Sequence, residues 1–93
     1  MLAQITFRVT TDVSSGVSRS LSRAYLLKNN TIVPGTNIYM YNRQLSHGEG
    51  TSNGSVILDL NAGDTLLCKT YRIAGSDAIR CAAEACSLTI TKL

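Results

Sequence analysis

The 93 residues predict an all-β domain, a short antiparallel β-sandwich of jelly-roll type with about six to seven strands. Three observations carry that expectation. Several stretches alternate apolar and polar residues with the period of two that a half-buried strand requires. Asn, Gly, Pro and Asp punctuate those stretches at the spacing of sandwich turns. Charge is sparse, at 16% of residues against the usual quarter, and Ser and Thr supply the polarity instead.

Met1–Val9 places Met1, Ala3, Ile5, Phe7 and Val9 on one face and Gln4, Thr6, Arg8 and Thr10 on the other, which predicts a half-buried strand. Thr11–Ser22 is rich in Ser, Thr and Gly and reads as a loop or weakly paired strand anchored by Val13, Val17 and Leu21. Strand character returns over Ser20–Lys28. Lys28-Asn29-Asn30-Thr31 is a turn, because Asn tolerates left-handed backbone angles. Ile32-Val33 is a short extended pair, broken by Pro34-Gly35 with type II turn composition. Asn37–Asn42 sets Ile38 and Met40 opposite Tyr39 and Tyr41.

Arg43–Ser55 is polar and Gly-rich with no apolar anchor after Leu45, so an exposed, mobile loop is expected. Ser55–Leu60 puts Val56, Leu58 and Leu60 on one face. Asn61-Ala62-Gly63-Asp64 turns the chain, and Thr65–Ile73 runs back as the second arm of a hairpin. Ala74-Gly75-Ser76-Asp77 is another turn. Asp77–Cys86 is Ala-rich and reads as a loop or irregular strand with one helical turn. Ser87–Leu93 closes the chain as a strand alternating on Leu88 and Ile90.

These features exclude several function classes. No run approaches 18 apolar residues, so no membrane-inserting helix is expected, and no heptad survives. Met1–Val9 alternates and lacks the unbroken apolar core of a secretory leader. The net charge of +3 is spread over nine scattered Lys and Arg residues, not the basic stripe with interleaved aromatics of a nucleic-acid binder; only Tyr71-Arg72 juxtaposes the two. The single His47 lies in the Gly-rich loop, where nothing would hold a general base in place. His47 and Glu49 fall short of the three or four ligands of a zinc site, and Cys81 and Cys86 are spaced too widely for a zinc knuckle. Asp59 and Asp64 read as an outward-facing carboxylate and a turn cap.

No enzyme activity, metal or cofactor is therefore expected; the pattern is that of a binding or assembly module. Cys68, Cys81 and Cys86 make an odd count, read as three reduced thiols or as one pair with one thiol left over. Asn29-Asn30-Thr31 and Asn53-Gly54-Ser55 match the glycosylation acceptor pattern, which matters only in a secreted eukaryotic protein.

Leu26-Leu27-Lys28-Asn29-Asn30-Thr31-Ile32-Val33-Pro34-Gly35 is similar to the strand, Asn-Asn turn and Ile-Pro segment of tumour-necrosis-factor-like and complement-globular-head-like jelly rolls. Leu60-Asn61-Ala62-Gly63-Asp64-Thr65-Leu66 resembles the Leu-x-Ala-Gly-Asp-x-Leu hairpin of the same superfamily. Leu88–Leu93 resembles its terminal strand. The resemblance implies a homotrimer, as found at the tips of bacteriophage tail fibres, needles and spikes. On that basis the chain is expected to be a receptor-binding tip that adheres to a host-surface glycan or protein. It would be assembled in the bacterial cytoplasm and act outside the cell as part of the virion. Tyr41, Arg43, His47, Glu49 and Asn53 are the expected receptor contacts. Tyr25, Tyr39, Tyr71 and Phe7 are the expected trimer contacts.

Two departures accompany the resemblance. The strands that precede the Met1–Val9 equivalent in the family are missing, so the chain reads either as the C-terminal piece of a longer fibrous protein or as a minimal variant completed by its neighbours. The aromatic residue that usually ends the closing strand is absent. Alternative functions are a capsid-decorating or other structural virion protein, and a cytokine-like or complement-like secreted ligand.

Overall fold

A computed structural model describes residues 1–13, 20–42, 50–74, 79–82 and 85–93. Among them lie β1 (Leu2–Val13), β2 (Ser20–Lys28), β3 (Thr31–Ile32), β4 (Ile38–Asn42), β5 (Gly50–Asp59), β6 (Leu66–Ala74), β7 (Ile79–Cys81) and β8 (Ser87–Lys92). The fold is all-β, with every pairing antiparallel. In the first sheet β1 is central, with β5 on one side and β8 and β7 in line on the other. In the second sheet β2 is central, with β4 and β3 in line on one side and β6 on the other.

One core joins the two sheets. The first contributes Ala3, Ile5, Phe7 and Val9; the second contributes Ala24, Leu26, Ile38 and Met40, with Val33 beside them. Val56, Leu58 and Leu60 flank this cluster from one sheet, Leu66 and Cys68 from the other. Each buried Ile, Leu, Phe or Met here contributes about 1.5–3 kcal/mol. At one end the core turns polar. Asn42 accepts from the Thr11 and Ser22 hydroxyls at 3.1 and 3.2 Å and donates through Nδ2 to the Thr11 carbonyl at 2.9 Å. That network ties β1, β2 and β4 together.

The turns follow their residues. Asn29 and Asn30 both have positive φ, 51° and 66°, as the two-residue connection between β2 and β3 requires. Asn29 then ties this turn to the connection that leads into β6. Its side chain donates to Asp64 Oδ1 at 3.0 Å and accepts from the Thr65 amide at 2.9 Å. Gly63 takes φ 91° in the turn closed by the Asp64 amide on the Asn61 carbonyl at 3.1 Å, a position where a side chain would be strained. Thr36 pins the segment after β3, accepting from the Leu26 amide at 3.1 Å and donating to the Val33 carbonyl at 2.7 Å.

Four sequence expectations need correction. β5 and β6 are not a hairpin: β5 pairs with β1 and β6 with β2, so the Asn61–Asp64 turn crosses from one sheet to the other. Their inward residues pack against the same buried cluster from different sheets, and period-two alternation is the same for either arrangement. Residues 50–54 are strand, not loop, because their backbone pairs with Phe7–Thr11. Gly54 lies opposite Phe7, and a Cβ there would come 2.7 Å from the ring Cε1, so the missing side chain makes room for the aromatic. Thr11–Val13 extends β1, where a loop or weakly paired strand was expected, while β2 covers the Ser20–Lys28 span that the residues predicted. Finally, Ile79–Cys81 forms a regular strand on Thr11–Val13. Residues 14–19, 43–49, 75–78 and 83–84, including the expected 75–77 turn, lie outside the described residues.

Candidate binding surfaces

Alternation sends the odd-numbered residues of β2, β4 and β6 to the outer face of the second sheet. Register then puts Tyr39 and Tyr71 on either side of Arg23, with Tyr25 one pleat further along β2 and Tyr41 at the end of β4. All four tyrosines of the chain therefore share one face. The Arg23 guanidinium carbon sits 4.8 Å from the Tyr71 ring centroid and 5.2 Å from that of Tyr25. The two rings meet edge to face at 5.8 Å and 76°, a favourable quadrupole arrangement. Tyr39 and Tyr41 remain 53% and 49% exposed. Leu67 and Ile73 extend the apolar surface along β6.

Among the described residues, Arg23 is held by rings rather than by acceptors. Its Nε is enclosed and makes no hydrogen bond. The acids placed among the described residues are engaged elsewhere: Asp12 with Arg80 at 3.2 Å, Asp59 with the Met1 amine at 2.9 Å, and Asp64 near Lys28 at 3.7 Å. The Met1 amine, donating to Asp59, holds that carboxyl below its ordinary pKa. The amide of Asn29 does the same for Asp64, helped by the Asn61 backbone N–H.

A second surface lies along the flank between β6 and β8. On the opposite flank β4 and β5 pack together; here the two edges stay apart. Leu88 and Ile90 point to the core side of their sheet, opposite Phe7 and Ile5, yet are 42% and 51% exposed. The gap is a pair of shallow apolar troughs of about 380 and 500 Å³, floored by Cys68, Thr70 and Cys86 at one end and by Leu60, Leu66 and Ile90 at the other. Cys68 and Cys86 are half-buried and Cys81 exposed, all as free thiols. Burial pushes the Cys68 thiol above its ordinary pKa.

The expected site residues separate in this geometry. Tyr41 stands on the outer face of the second sheet and Asn53, paired with Arg8, on the outer face of the first, so these two expected receptor contacts do not converge. Arg43, His47 and Glu49 lie outside the described residues. Of the expected trimer contacts, Tyr39 and Tyr71 reach the surface. Tyr25 is on the same face but 8% exposed beneath its neighbours, and Phe7 is a core residue at 1% exposure, unable to touch another copy. The error at Phe7 has a simple source: an aromatic on an amphipathic strand faces inward once a second sheet covers it.

Sequence reading missed Arg23, because a lone Arg in a strand carries no signal until register brings rings to it. It also missed the open flank, which depends on which strands are neighbours. Among the described residues no group of three His, Cys, Asp or Glu side chains comes together as a metal site. No protein-family model matches the chain, and neither curated proteins nor solved structures yield a significant match.

Proposed function

We propose that this chain is the receptor-binding head of a bacteriophage attachment device, a tail fibre, needle or spike, and that it works as a trimer adhering to a host-surface glycan. The observation that carries this reading is the tyrosine face around Arg23. A stable sandwich has no need of four tyrosines on an outer surface around an arginine that has no acceptor among the described residues, whereas aromatic faces and arginine are what recognition surfaces concentrate.

Strand pairing supports a jelly roll as the underlying topology. β1 with β5 and β2 with β4 nest as one long folded hairpin, and β6 and β8 return along the far sides of β2 and β1. In an eight-strand jelly roll two further strands flank the returning pair. No described strand occupies those places, and the β6–β8 flank is left open. We assign trimer contact to that flank rather than to the tyrosine face. Leu88 and Ile90 gain by being covered, while covering Arg23 without an acceptor would strand a charge. Each copy covers the next one's flank, a head-to-tail contact that closes as a ring of three.

Multi-angle light scattering should give three chains per particle, and labelled protein should adsorb to a subset of a panel of bacterial strains. Converting both Leu88 and Ile90 to Lys should yield folded monomers. A monomeric parent would refute the assembly. Binding to purified phage capsids with no adsorption to any strain would replace the head reading with capsid decoration.

A further inference from the structure

We infer that the tyrosine face binds a carboxylate-bearing sugar, with Arg23 as the carboxylate receptor and Tyr39 as a stacking surface; this deepens the glycan-receptor reading above and rests on it.

The inference starts from how Arg23 is held. A surface arginine is ordinarily oriented by a carboxylate, which also consumes its donors. Here the Tyr25 and Tyr71 rings perform the orienting, at 5.2 and 4.8 Å, and an aromatic face uses none of the N–H groups. Two donor-bearing nitrogens, Nη1 and Nη2, have no acceptor among the described residues and are not enclosed as Nε is. They form the outward end of a planar fork whose spacing matches the two oxygens of a carboxylate. Restricting the side chain in advance lowers the entropy that a ligand must overcome.

The surroundings select the rest of the ligand. Lys69 pairs with Tyr25 across the strands, so among the described residues the outward positions of this face carry two positive charges and no negative one, which favours an anion over a neutral chain. Tyr39 lies directly across β4 from Arg23, and Tyr41 follows two residues on. Both are about half exposed, and each offers an apolar ring with a polar tip. A pyranose presents apolar C–H faces and hydroxyl edges at the same scale. A sugar ring stacked on Tyr39 brings a ring carboxylate within reach of the neighbouring Arg23. The ligand class that satisfies fork, charge and stacking together is a uronic acid or similar acidic sugar.

The test uses a galacturonic acid hexamer, the same hexamer with its carboxyls methyl-esterified, and a glucose 6-phosphate competitor, against the full chain. The free acid should bind, and the ester about tenfold or more weakly, since a charge-assisted pair is lost. Arg23→Lys keeps the charge but loses the fork, and should weaken acid binding to a similar degree. Tyr39→Ala, at an exposed site that spares the core, serves as the second variant and should weaken acid and ester alike. Circular dichroism checks that each variant is folded.

Equal binding of acid and ester, no binding of either, or undiminished binding by both folded variants would overturn the inference. Complete displacement by glucose 6-phosphate at equal concentration would overturn it too, in favour of a phosphate site. Cell adsorption keeps the two proposals apart. If Arg23→Lys and Tyr39→Ala adsorb like the parent, the acidic-sugar site is wrong while the receptor-binding head stands. If the parent binds the hexamer yet adsorbs to no strain, the head reading falls and the sugar site stands.

Discussion

Gly54→Ala should destabilise the domain by about 1–2 kcal/mol, and Phe7 should be the reason. The added methyl would come 2.7 Å from Phe7 Cε1 and 3.0 Å from Cε2, where carbon atoms prefer about 3.5–4.0 Å. Phe7 is fully enclosed, so the ring has no solvent-side escape and must displace core neighbours. Overpacking of that kind costs about 1–3 kcal/mol, and the lower unfolded-chain entropy of Ala over Gly returns about 0.4–1 kcal/mol. A domain of this size loses roughly 4–8 °C in Tm per kcal/mol, so thermal unfolding should fall by about 5–15 °C. The urea midpoint should fall with it, at unchanged slope. A double-mutant cycle isolates the contact. Phe7→Leu removes the ring edge, so in the Gly54→Ala background it should cost at least about 1 kcal/mol less than it does alone. A Gly54→Ala variant as stable as the parent, or strict additivity in the cycle, would refute the placement of the ring over residue 54 and with it the β1–β5 register.

Three further outcomes are expected. Asn42→Leu removes the donor to the enclosed Thr11 carbonyl and leaves the Thr11 and Ser22 hydroxyls to each other and the Met40 carbonyl, and should cost about 1–3 kcal/mol by urea denaturation, as for one orphaned buried group; a loss under about 0.5 kcal/mol would mean the polar cluster bears no weight. Asp64 is held below its ordinary pKa by Asn29 in the folded state, so its contribution should be complete above about pH 5 and lost as pH falls through the folded-state value. The stability gap between parent and Asp64→Ala should accordingly narrow between pH 5 and pH 2, and a gap that widens on acidification would contradict the assignment. Under limiting iodoacetamide, peptide mapping should find Cys81 alkylated first and Cys68 last, because Cys81 is exposed while burial keeps the Cys68 thiol protonated; comparable rates would show that the β6–β8 flank opens freely.

Much of the local structure was legible in residue order. The alternation of Ala3, Ile5, Phe7 and Val9 marked the core face of β1, and that of Ile38 and Met40 marked β4, because side-chain direction along a strand depends only on parity. The Asn29-Asn30 and Ala62-Gly63 turns were readable for a similar reason: the positive φ of Asn29, Asn30 and Gly63 is a single-residue property. What failed was everything decided by neighbours. Asn61–Asp64 was correctly a turn and wrongly a hairpin, since Val56 through Cys68 alternate identically whether their strands pair with each other or belong to different sheets.

Residues 50–54 lacked the apolar residues that announce a strand, and only pairing with Phe7–Thr11 makes them one. Leu88 and Ile90 read as the inward face of an alternating strand, and they do face inward, but they stay about half exposed because β6 and β8 stand apart. The candidate site belongs wholly to this second category. Tyr25, Arg23, Tyr39 and Tyr71 come from three strands spread over nearly fifty residues, and only the register of β2 with β4 and β6 brings them together. The sequence by itself determined which face of each strand is apolar and where the chain bends. Tertiary structure decided which faces meet, because pairing is a property of two segments and neither one encodes it alone.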